Sequence, residues 1–216
     1  MNSLKATMPK LTQAQISLGV IVILHSVGIT GMLLARDWFL PLTPANLVVS
    51  GYFVLRHAEK PIWPIYALIA VLAFGIEAIG VATGWPFGEY EYVTALGPQL
   101  IRTPILIGLL WLLLLSGALY WMNRITSNRF FQVAGAAGLM TGIDILIEPV
   151  AIELQYWTWY GADVPLSNYL GWFGTALLLS AIVTTFEPHF RTNRVAGLFF
   201  IVQIVFFSTL NVFSQW

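Results

Sequence analysis

The chain reads as an all-α polytopic membrane helix bundle with about seven transmembrane helices, a single integral membrane domain over residues 1–216. Three observations predict this. Of 216 residues, 58% are hydrophobic and 9% charged, whereas soluble domains carry about 25% charged residues. Apolar runs of about 20 residues, the length of a helix crossing the hydrocarbon, recur along the chain. The ten basic and ten acidic residues cancel, which gives no electrostatic footprint for nucleic acid.

The spans follow in order. Clear apolar runs occupy Gln13–Ala35, Pro61–Thr83, Thr103–Asn123, Phe130–Pro149, Asn168–Phe186 and Val195–Phe213. Trp38–Leu55 is weaker, with Pro41 and Pro44 near its start, and reads as a bent span or a re-entrant segment. The short polar start MNSLKATMPK precedes a full-length span, so no cleaved leader is expected. With seven spans, Lys5, Lys10, Arg56, Lys60, Arg124, Arg129, Arg191 and Arg194 fall on one side and Arg36 and Arg102 on the other. The positive-inside rule then places the N-terminus in the cytoplasm and the C-terminus outside, in the cell (plasma) membrane. With six spans the N-terminus flips. In both cases the long loops Gly84–Arg102 and Val150–Ser167 share the outer side.

Small residues at helical spacing (Gly135, Gly138 and Gly142; Gly171 and Gly174) are expected to let backbones approach closely. With no cysteine, disulfides and thiol chemistry are excluded. His25 lies mid-span without a second histidine, since His57 and His189 fall on the inner side. It is expected to be a packing residue, and no metal site is expected.

Seven of the ten acids (Asp37, Glu59, Glu89, Glu91, Glu153, Asp163 and Glu187) fall in loops or at span ends, where water solvates them. Glu77, Asp144 and Glu148 lie within spans. Asp144 and Glu148 are four apart and share a helix face, and Glu77 comes to a similar depth. A charge at the bilayer centre costs at least about 2.5–3.5 kcal/mol, so such acids face the bundle interior and mark function. Only Arg102 is a nearby base. Pairing with it or with a Tyr hydroxyl is the purely structural reading; otherwise desolvation favours at least one neutral carboxyl, a candidate proton donor.

The outer loops are densely aromatic: GWPFGEYEYVTALGP in the first and YWTWYGADVPLSNYLGW in the second. Any one Trp or Tyr has an interfacial belt as its default. Two clusters on one side, both adjoining buried acids, suggest a pocket whose ring faces stabilise a cation. Acid, aromatic wall and a route from lipid together suggest protonation of an alkene in a lipophilic substrate.

At these residues the chain resembles the CruF-type carotenoid hydratase family, membrane proteins of carotenoid biosynthesis. The resemblance rests on Glu77 with Gly80 and Gly84, PFGEYEY (Pro86–Tyr92), LGP (Leu96–Pro98), Pro104, Trp111, DILIEP (Asp144–Pro149), WTWYG (Trp157–Gly161) and VPLSNYLGW (Val164–Trp172). The chain departs from the family's pattern at Glu148, where Asp is frequent, and at YGADVPLSN, where the family has YYGVPLSN. The resemblance implies hydration of the terminal ψ-end double bond of an acyclic or monocyclic carotenoid to a tertiary alcohol, with no cofactor. Glu77, Asp144 or Glu148 would protonate the alkene, with Asp144 the expected donor. Trp85, Phe87, Tyr90, Tyr92, Trp157, Trp159 and Trp172 would bind and shield the cation, and Asn168 or a carboxylate would orient water. A carotenoid cyclase needs the same protonation and is the alternative among enzymes. A proton-coupled transporter is the alternative of another class, but the acids cluster in the outer half and leave no relay through the inner half. A retinal protein needs a lysine within a span, and Lys5, Lys10 and Lys60 lie outside the spans.

Overall fold

The computed structural model describes residues 11–58, 63–161, 163–186, 190 and 192–213. Among the described residues, seven helical passages are long and apolar enough to cross a membrane, as expected. They are α1 (Gln13–Leu34); a bent passage made of α2 (Arg36–Phe39), one 3₁₀ turn and α3 (Thr43–Leu55); α4 (Trp63–Thr83); α5 (Leu106–Ile125); α6 (Arg129–Glu153); α7 (Leu166–Phe186); and α8 (Arg194–Phe213). Trp38–Leu55 is thus a bent span, and its prolines sit at the bend and in the first turn of α3, where a missing N–H costs little. Thr12 and Gln15 close a capping box at the start of α1. Asn128 caps α6 by accepting from the Phe130 and Phe131 amides. Lys5, Lys10, Glu59, Lys60, Glu187, His189 and Arg191 lie outside the described residues.

Helix α5 is central. Residues 111–120 are all buried, and α5 packs on α3, α4, α6 and α8. Close approach depends on glycines other than those expected. A β-carbon at Gly117 would lie 2.7 Å from the Ala196 carbonyl oxygen of α8, and one at Gly108 would overlap the Ala70 carbonyl of α4. Of the five expected, Gly135 packs against Met122 and Gly171 against Phe87, whereas Gly138, Gly142 and Gly174 face open space. Spacing alone does not say which helix face meets a neighbour. The outer helices expose Ile23, Val71, Ile79 and Val205 among other large apolar side chains, a surface suited to lipid and not to water.

Both long loops meet at one end of the bundle. Strand β1 (Tyr90–Tyr92) pairs antiparallel with β4 (Trp157–Trp159), in the register Tyr90↔Trp159, Glu91↔Thr158 and Tyr92↔Trp157. Side chains alternate along a strand, so the four rings turn towards the helices while Glu91 and Thr158 are exposed. This ribbon is an addition to the all-α expectation. A second hairpin, β2 (Gln99–Leu100) with β3 (Thr103–Pro104), turns at Ile101 and Arg102, both with positive φ (54° and 60°). That turn exposes Arg102 beside the Tyr160 hydroxyl, so it is not the partner of the buried acids. Glu153, expected to be solvated, pairs with Arg36 at 2.9 Å, and the same guanidinium donates to the Glu153 carbonyl. This ties the α1–α2 joint to the orphan carbonyls at the end of α6.

Candidate active site

Asp144 and Glu148 lie deeper than the apolar run suggested, because α6 continues through Pro149 to Glu153. Glu148 is therefore five residues inside its helix. Glu77, Asp144 and Glu148 are respectively 3%, 0% and 2% exposed. Among the described residues no Arg, Lys or His forms an ion pair with any of them. Their partners are uncharged.

Glu77, from α4, accepts from the Tyr90 hydroxyl at 2.6 Å and the Tyr92 hydroxyl at 2.8 Å, both on Oε2. Its Oε1 accepts from the Trp111 indole N–H at 2.8 Å. Glu148, from α6, accepts from the indoles of Trp157 and Trp159 on Oε2, at 3.1 and 3.0 Å. Its Oε1 accepts from the Asn168 amide at 3.0 Å. The same Asn168 nitrogen donates to Asp144 Oδ2 at 2.8 Å. Asp144 Oδ1 is buried and has no partner among the described residues.

Glu77 and Glu148 border one cavity of about 20 Å³, together with Phe87, Tyr90, Tyr92 and Ile107 and with Trp157, Trp159, Asn168 and Trp172. That volume suits about one water molecule, which needs two to four polar partners. Asp144, the expected donor, does not border the cavity and sits behind Asn168. Trp85 is 73% exposed and outside it. The remaining expected residues converge on it.

Trp111 and Ile107 were absent from the expected site. Trp111 lies in a run of leucines, where its donor N–H looks like a packing tryptophan's; the only signal was its place in the resemblance. Its ring stacks on Trp172, centroids 4.2 Å apart. The ribbon rings also pack on each other, with Tyr90 on Trp159 at 5.1 Å and Tyr92 edge-on to Trp157 at 5.9 Å.

Burial pushes the Tyr90 and Tyr92 hydroxyls well above the usual tyrosine value. Both therefore stay protonated and can keep donating. A tyrosine hydroxyl can also accept, so it tolerates a proton on Glu77 by reversing the bond. Indole and amide N–H groups only donate. The partners of Glu148 thus require an acceptor on both of its oxygens, whereas Glu77 Oε2 can carry a proton. No group of three or more His, Cys, Asp or Glu arranged to hold a metal occurs among the described residues.

The fold and site define a polytopic membrane protein with a buried acid–aromatic cavity near one end of its bundle. A family profile described as carotenoid biosynthesis protein matches residues 38–215, and the chain belongs to that family. It is similar to the bisanhydrobacterioruberin hydratase of Haloarcula japonica, with 31% identity over 207 residues, 83% of this chain and 66% of that protein. The chain thus spans just under two thirds of that relative's length. No solved structure matches it significantly.

Proposed function

We propose that this protein adds water across the terminal double bond of a ψ-end carotenoid, giving a tertiary alcohol. The observation that carries the reading is a cavity the size of one water molecule between Glu77 and Glu148 under a lining of aromatic rings. Glu77 delivers its proton to the terminal alkene carbon, leaving a tertiary cation. Tyr90, Tyr92, Trp157, Trp159 and Trp172 present ring faces and edges around that charge. Water forms the new C–O bond, and Glu148 accepts the proton lost from it. Return of that proton to Glu77 completes the cycle, for which the residues present require no cofactor. Two acids with different partner sets suit a reaction in which one must be acid while the other is base.

Asp144 acts through Asn168 in this scheme, holding the amide that fixes Glu148. The cavity fits water and not the end group, so the substrate enters by displacing a lining ring. Tyr92 and Trp159 are the half-buried rings of that lining. The substrate class is supported by the family and by the relative's name. Arg56, Arg124, Arg129 and Arg194 lie at the end opposite the loops, and Arg36 and Arg102 at the loop end. By the positive-inside rule this supports a site near the outer face of the cell membrane.

The test is expression in cells that accumulate an acyclic carotenoid, with products analysed by mass spectrometry. A product heavier by one water, lost in Glu77→Gln, is expected. An isomer of unchanged mass indicates cyclisation, and no new product from any acyclic end group removes the hydratase reading.

A further inference from the structure

A second, larger chamber lies on the other side of α5 from the carboxyls. Its volume is about 310 Å³, within the range of small-molecule sites. It is walled by α1, α3, α5 and α8 and reaches Leu96 and Tyr156 at the loop end. Along α1 its lining runs from Leu24 to Met32, about 12 Å at 1.5 Å per residue, so it is elongated along the bundle.

No Asp, Glu, Lys or Arg lines it among the described residues. The polar groups of the wall bind one another. His25 Nδ1 donates to the Ile21 carbonyl at 2.8 Å, which leaves Nε2 to accept from the Gln203 amide at 2.8 Å. The Thr43 and Tyr156 hydroxyls meet at 3.1 Å. A charged or strongly hydrogen-bonding guest would break these pairs without replacement. A hydrocarbon chain would not.

The chamber and the carboxyl cavity share a partition. Leu110 and Tyr156 face the chamber, while their immediate neighbours Trp111 and Trp157 donate to Glu77 and Glu148. We propose that the chamber holds the hydrocarbon chain of the same substrate whose terminal alkene reacts between Glu77 and Glu148, an inference that rests on the hydration reading. A lipid acyl chain has the same chemistry, so the test separates the two sources.

Gly28→Leu and Ala45→Phe fill the chamber from two different helices. A β-carbon at Gly28 first meets Phe206 Cε2 at an ordinary 3.4 Å, so the helix accepts the new branch. The full chain is purified from cells making an acyclic carotenoid. Polyene and phospholipid retained per mole of protein are then measured, together with conversion of the carotenoid relative to a short acyclic terpene hydrocarbon bearing the same end group. Wild type is expected to retain polyene, and each filled variant to lose at least about tenfold in retention and in the long-to-short conversion ratio. Retention and ratio unchanged in both variants, or loss of phospholipid alone, overturns the proposal. Wild type that retains polyene but hydrates neither compound, with retention lost on filling, keeps the chamber and removes the hydration reading. If the filled variants fail to insert, Phe206→p-benzoylphenylalanine decides: crosslinking to polyene supports the proposal, and crosslinking to phospholipid alone overturns it.

Discussion

Trp111 and Trp172 lie face to face, their ring centroids 4.2 Å apart and their planes 25° from parallel. The stack joins α5 to α7 beside the cavity and aims the Trp111 N–H at Glu77 Oε1. Trp111→Phe keeps an aromatic face for Trp172 but removes the donor. Glu77 becomes a carboxylate as its proton passes to the alkene, and a hydrogen bond to a charged group contributes about 1.5–3 kcal/mol, so carotenoid conversion should fall about 10- to 100-fold with membrane insertion retained. Conversion by purified Trp111→Phe at saturating substrate checks this, and an unchanged rate would leave Trp111 a packing residue only.

Phe87 is clamped between two helices. β-Carbons at Gly80 and Gly171 would lie 2.6 and 2.7 Å from its ring, and Phe87 is 1% exposed. Ala is intrinsically the better helix former by about 1 kcal/mol, yet overpacking here costs about 1–3 kcal/mol. Gly80→Ala and Gly171→Ala should therefore lower the melting temperature in detergent and displace the ribbon that carries Tyr90. Gly138→Ala, which meets nothing within 4 Å, should not. Equal melting temperatures for all three would show that Phe87 has room to move.

The spans were legible because hydrocarbon thickness imposes a run length that composition displays directly. The buried acids were legible for the related reason that an apolar run makes an ionisable group conspicuous. Alternation in YEY and WTW was visible too, but each stretch is three residues long and its partner is distant in sequence, so pairing could not be read from either. Helix spacing points to Asp144, which has Glu148 one turn away, but it does not reveal which side chain borders a cavity. Trp85 stands two residues from Phe87 in the chain, but the turn that buries one ring exposes the other. Trp111 was hidden among leucines because a hydrogen-bonding indole leaves no mark on periodicity.

Tyr156 gives a pH test outside the spans. Burial pushes its hydroxyl up to about 12, against the opposing pull of the Thr43 bond and the Arg36 charge. The folded protein thus holds this proton after the unfolded chain, with a tyrosine value of about 10, has released it. Stability should be intact below pH about 10 and fall as pH rises towards 12, by up to about 1.4 kcal/mol per pH unit for this group. Tyr90 and Tyr92, also raised, add to the slope. Tyr156→Phe should flatten the alkaline decline in melting temperature without abolishing it. An identical slope in the variant would mean that Tyr156 is solvated in the folded protein.

Asn168 is the most demanding position, because one amide nitrogen serves two carboxyls, Asp144 at 2.8 Å and Glu148 at 3.0 Å. Asn168→Asp replaces both N–H donors with lone pairs and sets three acids against one another. Each lost bond to a charged group costs about 1.5–3 kcal/mol before repulsion, so both stability and conversion should fall, conversion by at least about 100-fold. The transposed pair Asp144→Asn with Asn168→Asp separates the two effects. It restores one amide–carboxyl bond between α6 and α7, so thermal stability should recover in part. Glu148, however, now faces a carboxylate where it had a donor, so conversion should stay low. Recovery of both in the transposed variant would mean that Asn168 only ties α6 to α7, and that Glu148 does not depend on it.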